Sequence, residues 1–133
     1  MAALAIDTHA LVWYVEGSSL ISASALASLQ LAAAQGEPIY VSSVCLVEIA
    51  YLIEKGKLPG PLFDRIVQML RDGQTSLTAV SFTMEMADTL RGISRLLIPE
   101  MPDRMIAATA VALGVPLVTR DQRIRNSGVP TIW

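Results

Sequence analysis

The chain contains very few of the residues on which many stabilising and catalytic sites are built. It has one cysteine, Cys45, and one histidine, His9, in 133 residues. An intramolecular disulfide needs two cysteines, and a zinc site of the Cys/His type needs more ligands than this chain offers. These absences exclude a disulfide framework and a Cys/His zinc site, and they fit a reducing cytoplasm.

Charge is also scarce. Charged residues make up 17% of the chain and hydrophobic residues 53%, against a charged share of about 25% in typical soluble domains. The formal net charge of −2 excludes a generically basic nucleic-acid-binding protein. This length and apolar content predict a single domain over residues 1–133, with a sizeable core and enough apolar surface to favour a homodimer.

Signals for export or membrane insertion are missing from the sequence. No basic region precedes Asp7, and the apolar run before it is short, unlike a signal peptide. Residues 17–36 carry no charge, but their Ser and Gln content favours an Ala-rich helix over a membrane span. We therefore expect a cytoplasmic protein with no membrane partner.

The few charges are distributed unevenly. Residues 1–54 contain carboxylates and no Lys or Arg, whereas residues 104–133 contain four arginines and one carboxylate. If the two ends of the chain meet in space, an acidic pocket gains an arginine rim. Arg120 and Arg123 are then candidate phosphate contacts, and a solvated edge is the alternative interpretation.

Short apolar strands alternate with helices along the chain. The pattern predicts strands at 1–6, 39–41, 77–80, 117–119 and 131–133. It predicts helices at 8–15, 23–35, 43–54, 61–70, 82–90 and 103–113, with Ser22, Ser42 or Ser43, and Ser81 as caps. Strands that alternate with helices indicate an α/β fold whose parallel sheet is covered on both faces.

Four carboxylates stand where such a sheet builds its sites. Asp7 and Asp121 each follow a short apolar strand, and Glu48 and Asp103 lie near the starts of predicted helices. Open α/β sheets bind ligands outside the carboxyl ends of their strands. Singly, these acids are also explained as turn or capping residues. Together they favour a Mg²⁺ or Mn²⁺ site and metal-dependent chemistry on phosphate esters.

Four stretches around these acids follow a known order and spacing. They are 5–13 (AIDTHALVW), 41–50 (VSSVCLVEIA), 102–110 (PDRMIAATA) and 116–121 (PLVTRD). Together they resemble a PIN domain, and more narrowly the VapC-type toxins of VapBC toxin–antitoxin pairs. The resemblance implies a three-layer α/β/α fold with a central parallel sheet, and an endoribonuclease that depends on Mg²⁺ or Mn²⁺.

The resemblance also assigns residues and partners. It places Asp7, Glu48, Asp103 and Asp121 on the catalytic and metal-binding acids of the family, and Thr119 on a hydroxyl position that helps to arrange them. Arg104 follows the third acid and joins Arg120 and Arg123 as a candidate substrate-binding residue. The implied partners are an RNA substrate and a cognate antitoxin, which we expect to lie near residues 43–70.

Other functions remain open at this point. An aspartyl phosphatase typically has a second Asp two residues after the first, and this chain has His9 at that position. A receiver domain needs a Lys near its last strand, and the only lysines are Lys55 and Lys57. A PIN-like phosphoesterase or RNA-processing nuclease outside a toxin–antitoxin pair, and a PIN domain kept as a binding module, are further alternatives.

Three further residues are interpreted as structural. His9 is expected to be a partly buried helix residue, with substrate contact or orientation of Asp7 as the alternative. Cys45 is expected to be a small core residue. Trp13 is expected to make packing or dimer contacts rather than to stack on bases.

Overall fold

The structure is a computed structural model and describes residues 3–133. The strands within this range are β1 (Leu4–Ile6), β2 (Ile39–Ser42), β3 (Leu77–Val80), β4 (Leu117–Val118) and β5 (Thr131–Ile132). They form one parallel sheet in the order β3-β2-β1-β4-β5. The predicted parallel sheet is confirmed, while residues 1 and 2 of the predicted first strand lie outside the described residues.

Helices connect the strands and cover the sheet. Within residues 3–133 they are α1 (Thr8–Glu16), α2 (Ala23–Ala34), α3 (Ser43–Glu54), α4 (Leu62–Asp72), α5 (Met84–Leu90), α6 (Met101–Leu113) and α7 (Gln122–Arg125). Helix α2 packs against β2 and β5, whereas α3 packs on α6, which contacts β1. The predicted α/β/α architecture is confirmed. No helix in the described part of the chain has the length and apolar character to span a bilayer.

Several helix boundaries follow from capping residues. The Ser22 hydroxyl accepts a hydrogen bond from the Ala25 N–H at 3.0 Å, and the Ser42 hydroxyl accepts one from the Val44 N–H at 3.1 Å. Both contacts satisfy N–H groups that the first turn of a helix leaves free. Gly114 ends α6 with a φ of 69°, a left-handed conformation that glycine adopts without a steric penalty.

Three local predictions are corrected by the structure. Helix α5 is capped by Thr83 and not by Ser81, because the Thr83 hydroxyl accepts from the Met86 N–H at 3.2 Å. Helix α6 begins at Met101, two residues before the predicted start at Asp103, and takes Pro102 into its first turn. The polar turn expected after Asp121 is the short helix α7.

In the centre of the sheet, β1 lies between β2 and β4. Ile6 pairs with Val41 on one side and with Val118 on the other. All three side chains are at most 1% exposed, so the register of β1 between β2 and β4 is set by the core. Because the strands are parallel, the residues that follow Ile6 and Val118 emerge at the same edge of the sheet.

Candidate functional site

A pocket of about 370 Å³ lies at the carboxyl edge of the sheet. All four predicted acids line it, and a fifth carboxylate, that of Glu100, joins them. The lining residues are Asp7, Thr8, His9, Trp13, Glu48, Glu100, Pro102, Asp103, Arg120 and Asp121. Acids from distant parts of the chain therefore meet in one cleft.

Asp7 serves both the fold and the pocket. It is the N-cap of α1, and its Oδ1 accepts a hydrogen bond from the Ala10 N–H at 2.9 Å. Its Oδ2 accepts from the Thr119 hydroxyl. Burial raises the pKa of Asp7, while the hydrogen bonds from Thr119 and Ala10 oppose this shift. Asp7 can cap α1 and belong to the pocket at the same time, because Oδ1 accepts the capping hydrogen bond and Oδ2 accepts the bond from Thr119.

Thr119 connects Asp7 to Asp121. Its side chain is fully buried, and its Oγ1 also accepts from the Asp121 N–H at 3.0 Å. Asp121 in turn caps α7, since its Oδ1 accepts from the N–H groups of Arg123 at 2.9 Å and Ile124 at 3.2 Å. The carboxylates that follow β1 and β4 are therefore held in one hydrogen-bonded unit.

Glu48 is held by a residue that the sequence analysis did not select. The buried hydroxyl of Thr8 donates to Oε1 of Glu48 at 2.5 Å, across forty positions of the chain. Thr8 directly follows Asp7 and is the first residue of α1. The sequence signal for Thr8 was a hydroxyl residue directly after an acid at the end of a strand. Its partner, Glu48 on α3, is identified only by the packing of α1 against α3.

Asp103 has a strongly raised pKa. Burial, together with the charges of Asp121, Glu48, Asp7 and Glu100, raises its pKa to about 7. Glu100 stands at the N-cap position of α6 but makes no capping hydrogen bond. Its carboxylate therefore adds negative charge to the pocket. The sequence analysis missed Glu100, although its position three residues before Asp103 was a usable signal.

The donor set has the chemistry of a hard divalent cation site. Mg²⁺ and Mn²⁺ prefer oxygen ligands, and five carboxylates line this pocket. Within residues 3–133, no three acidic, His or Cys side chains are already close enough together to form a finished metal site. The carboxylates share a pocket without converging on one point, as repulsion between like charges favours.

The three candidate arginines occupy different places. Arg104 is 9% exposed, and its Nη2 donates to the carbonyl oxygens of Leu90 at 3.2 Å and Ile93 at 3.0 Å. It holds the connection between α5 and α6, and this placement does not support the prediction that it binds substrate. Arg120 lines the pocket, whereas Arg123 is exposed on α7 and outside the pocket lining.

Of the three residues interpreted as structural, His9 and Trp13 line the pocket and Cys45 lies in the core. His9 is exposed and lines the pocket, so the expectation of a partly buried helix residue is wrong. Trp13 is half-buried and also lines the pocket, in addition to packing on Trp133. Cys45 is fully buried, and burial raises the pKa of its thiol to about 12. The core position of Cys45 is confirmed, and its thiol is unreactive.

Comparison with known proteins gives a consistent result. Residues 4–129 match the sequence profile described as the PIN domain. Ribonuclease VapC22 of Mycobacterium tuberculosis is 25% identical over 136 residues, which cover 100% of both chains. The structure of VapBC2 from Rickettsia felis bound to a DNA fragment from their promoter contains a chain with TM-score 0.71 and 19% identity, covering 98% of this chain and 99% of that one.

A second solved structure has the same fold. A chain of DNA-bound VapBC from Salmonella typhimurium is 18% identical, with TM-score 0.67, and the match covers 98% of this chain and 96% of that chain. At such identities the solved structures support the arrangement of strands and helices. The profile match over residues 4–129 begins at the first residue of β1, ends two residues before β5 and includes every acid of the pocket.

Proposed function

Because this chain belongs to the PIN-domain family, we propose that it is an endoribonuclease that uses a divalent cation and acts as the toxin of a toxin–antitoxin pair. The observation that carries this proposal is the gathering of five carboxylates in one pocket at the carboxyl edge of the sheet. Such a concentration of negative charge is costly unless a cation neutralises it. The M. tuberculosis relative is named a ribonuclease, which supports RNA as the substrate.

The acids would divide the work of holding Mg²⁺ or Mn²⁺. Asp7, Asp103 and Asp121 would bind the ion, and Glu48 would bind it directly or through water. A bound divalent ion lowers the pKa of a water molecule and stabilises the leaving oxygen of a phosphodiester. Thr119 keeps Asp7 in its orientation. The hydroxyl of Thr8 does the same for Glu48.

The substrate would be a phosphodiester of cytoplasmic RNA. With a net charge of −2, the protein cannot attract RNA by its overall charge. Attraction must come from the bound cation and from Arg120, the arginine that lines the pocket. Because water is the nucleophile in this scheme, the RNA 2′-hydroxyl need not react, and the products would carry a 5′-phosphate and a 3′-hydroxyl.

Cleavage of RNA by the purified protein tests this proposal directly. We expect cleavage with Mg²⁺ or Mn²⁺, none with EDTA, and none by Asp7→Asn with either ion. Asparagine keeps the N-cap hydrogen bond to Ala10, so the variant should fold normally. Mapping of the RNA ends identifies the nucleophile. A 2′,3′-cyclic phosphate product, or full activity of Asp7→Asn, would refute the metal–water mechanism.

An apolar groove between α3 and α4 is our candidate site for the antitoxin. It encloses about 400 Å³ and is lined by Leu46, Val47, Ala50, Tyr51, Glu54 and Phe63. A structure that contains a chain of similar fold is described as a toxin–antitoxin complex from Klebsiella pneumoniae, which supports such a partner here. A helix can bury its apolar face in a groove of this kind. A basic side chain of the same partner would then reach the acidic pocket.

A second apolar surface is our candidate for the homodimer contact. Met84 on α5 and Leu96 in the segment before α6 are 91% and 90% exposed, and Leu97 and Met101 are 49% and 53% exposed. Helices α5 and α6 pack closely on each other, so these side chains belong to one region of the fold. Large apolar side chains in such numbers on one region are typical of a contact surface.

A further inference from the structure

The arginine of the pocket lining forms no ion pair with the pocket carboxylates in the described part of the chain. Arg120 lines the same pocket as Asp7, Glu48, Glu100, Asp103 and Asp121. Within residues 3–133, however, the one ion pair joins the exposed side chains of Arg91 and Asp88 at 2.8 Å, and neither residue lines the pocket. Arg120 therefore stays apart from the acids that surround it, although a guanidinium pairs strongly with a carboxylate.

Arg120 lies against the Trp13 ring instead. The guanidinium carbon of Arg120 lies 4.7 Å from the centroid of the Trp13 ring. Tryptophan is the strongest partner among the aromatic residues for a cation held at such a distance. A guanidinium that rests on a ring by its face keeps its N–H groups free at its edges. The contact places the cation beside the ring, while none of its N–H groups is engaged in an ion pair within residues 3–133.

The indole itself is held from two sides. The ring of His9 lies 5.9 Å from Trp13 on α1, and the ring of Trp133 lies 5.8 Å away beyond β5, both in tilted arrangements. Trp13 is also half-buried and packs against the core. A ring supported in this way can fix the place of a flexible arginine side chain.

We propose that Trp13 is a positioning residue that holds Arg120 at the mouth of the pocket and away from the carboxylates. Its effect is twofold. The carboxylates stay available for a divalent cation, and the guanidinium N–H groups stay available for a substrate phosphate. This inference rests on the proposed nuclease function and adds a role that acts through Arg120 alone.

The proposal predicts a specific interaction between two substitutions. Without the indole, Arg120 is free to pair with the nearest carboxylates and to compete with a divalent cation. Trp13→Leu should therefore weaken cation binding, and removal of Arg120 in the same protein should restore it. A purely structural role for Trp13 predicts no restoration, because the double variant contains the same cavity as Trp13→Leu.

Calorimetric titration with Mn²⁺ and RNA cleavage kinetics test this prediction. We expect Trp13→Leu to weaken Mn²⁺ binding about five- to tenfold, a range set by the strength of a cation–π contact. Trp13→Leu/Arg120→Ala should bind Mn²⁺ as Arg120→Ala does. Trp13→Phe keeps an aromatic face and should stay within about twofold of the wild type. At saturating Mn²⁺, Trp13→Leu should raise KM for RNA and leave kcat nearly unchanged.

Tyr14→Leu is the matched control, because it truncates the neighbouring aromatic residue on α1. Tyr14 lines a different cavity, with Ala33, Glu37 and Thr78, and should leave Mn²⁺ binding unchanged. The inference is overturned if Trp13→Leu binds Mn²⁺ like the wild type, or if Arg120→Ala does not restore binding in the double variant. A wild-type protein that neither binds Mn²⁺ nor cleaves RNA would instead refute the proposed function, and this inference with it.

Discussion

The hydroxyl of Thr119 donates a hydrogen bond to Oδ2 of Asp7 and so ties the end of β4 to the end of β1. The same hydroxyl accepts from the Asp121 N–H at 3.0 Å. Ile6 and Val118 pair directly before these residues, and both are buried in the centre of the sheet. The relative position of two pocket acids is therefore determined by core packing and by one buried hydroxyl.

The first prediction concerns this hydroxyl. Thr119→Val keeps the shape of the side chain but leaves the buried Asp7 carboxylate without one of its donors. We expect the free energy of unfolding to fall by about 1–3 kcal/mol, and RNA cleavage to slow. The bond from Thr119 lowers the pKa of Asp7, so the acidic limb of the pH–rate profile should move to higher pH in the variant.

Urea denaturation and cleavage assays measure both effects. Thr119→Ser is the matched control, since it retains the hydroxyl and removes only a methyl group. We expect Thr119→Ser to keep most of the activity and the wild-type pH profile. Equal activity of the Val and Ser variants would show that the hydroxyl does not organise the site.

The second prediction concerns stabilisation by the cation. A ligand that binds only the folded state, at about a hundred times its dissociation constant, adds roughly 2.7 kcal/mol to the free energy of unfolding. Thermal melts with Mg²⁺ or Mn²⁺ should therefore shift upward relative to melts in EDTA. Asp7→Asn should lose most of this shift. Melting curves that coincide with and without the ions would count against a site formed by these acids.

The third prediction concerns pH. The pKa of Asp103 is about 7 in the folded chain, against a usual value of 3.8. Between these values the folded state binds more protons than the unfolded state, so the stability of the metal-free protein falls as pH rises. The loss is complete above the folded pKa. Asp103→Asn should remove much of this pH dependence and should be more stable than the wild type in mildly alkaline buffer.

Thermal melts in EDTA across this pH range test the sign of the effect. Asp64→Asn changes an exposed acid on α4 outside the pocket, and it should leave the slope as in the wild type. A wild-type melting temperature that rises between about pH 5 and about pH 7 would contradict the raised pKa of Asp103.

Local sequence patterns predicted most of the fold. The strands at 39–42, 77–80 and 117–118 contain β-branched or other apolar residues. The capping residues Ser22 and Ser42 correctly indicate the starts of the helices that follow them. The errors arose where two local signals competed. Ser81 and Thr83 are both of residue types that cap helices, and in the structure the cap is Thr83. Pro102 was read as a residue before a helix, although proline is compatible with the first turn.

The acids of the pocket were predictable because their positions at strand ends are visible along the chain. Thr8, Glu100 and Trp13 were not assigned to the pocket, because each acts on a residue brought near by folding. Arg104 illustrates the opposite error. Arg104 directly follows Asp103 in the sequence, which suggested that both residues act on the substrate. In the structure, however, the guanidinium of Arg104 donates to the carbonyls of Leu90 and Ile93.

The fourth prediction concerns self-association. A second copy of the chain would cover the exposed apolar surface around α5 and the start of α6. Leu96 is 90% exposed, so Leu96→Asp should leave the stability of a monomer unchanged but place a charge in the contact. We expect the wild type to be a dimer by light scattering and Leu96→Asp to be a monomer. Leu20→Asp, at a 55% exposed position elsewhere, is the control and should remain dimeric.

The fifth prediction concerns the antitoxin groove. Val47 lines the groove between α3 and α4 and is 68% exposed, so Val47→Asp should not disturb the fold. An antitoxin helix that buries its apolar face there would enclose an unpaired carboxylate, which costs about 1–3 kcal/mol or more. We therefore expect Val47→Asp to cleave RNA like the wild type, while a cognate antitoxin binds at least roughly tenfold more weakly.

A matched substitution separates the groove from surface charge in general. Val111 is an exposed valine on α6, at 42% exposure, and does not line the groove. Val111→Asp should bind the antitoxin with wild-type affinity. If both valine variants lost the antitoxin equally, repulsion by added negative charge would explain the result. If neither did, the antitoxin would have to bind outside the groove, and the acidic pocket would be the first place to search.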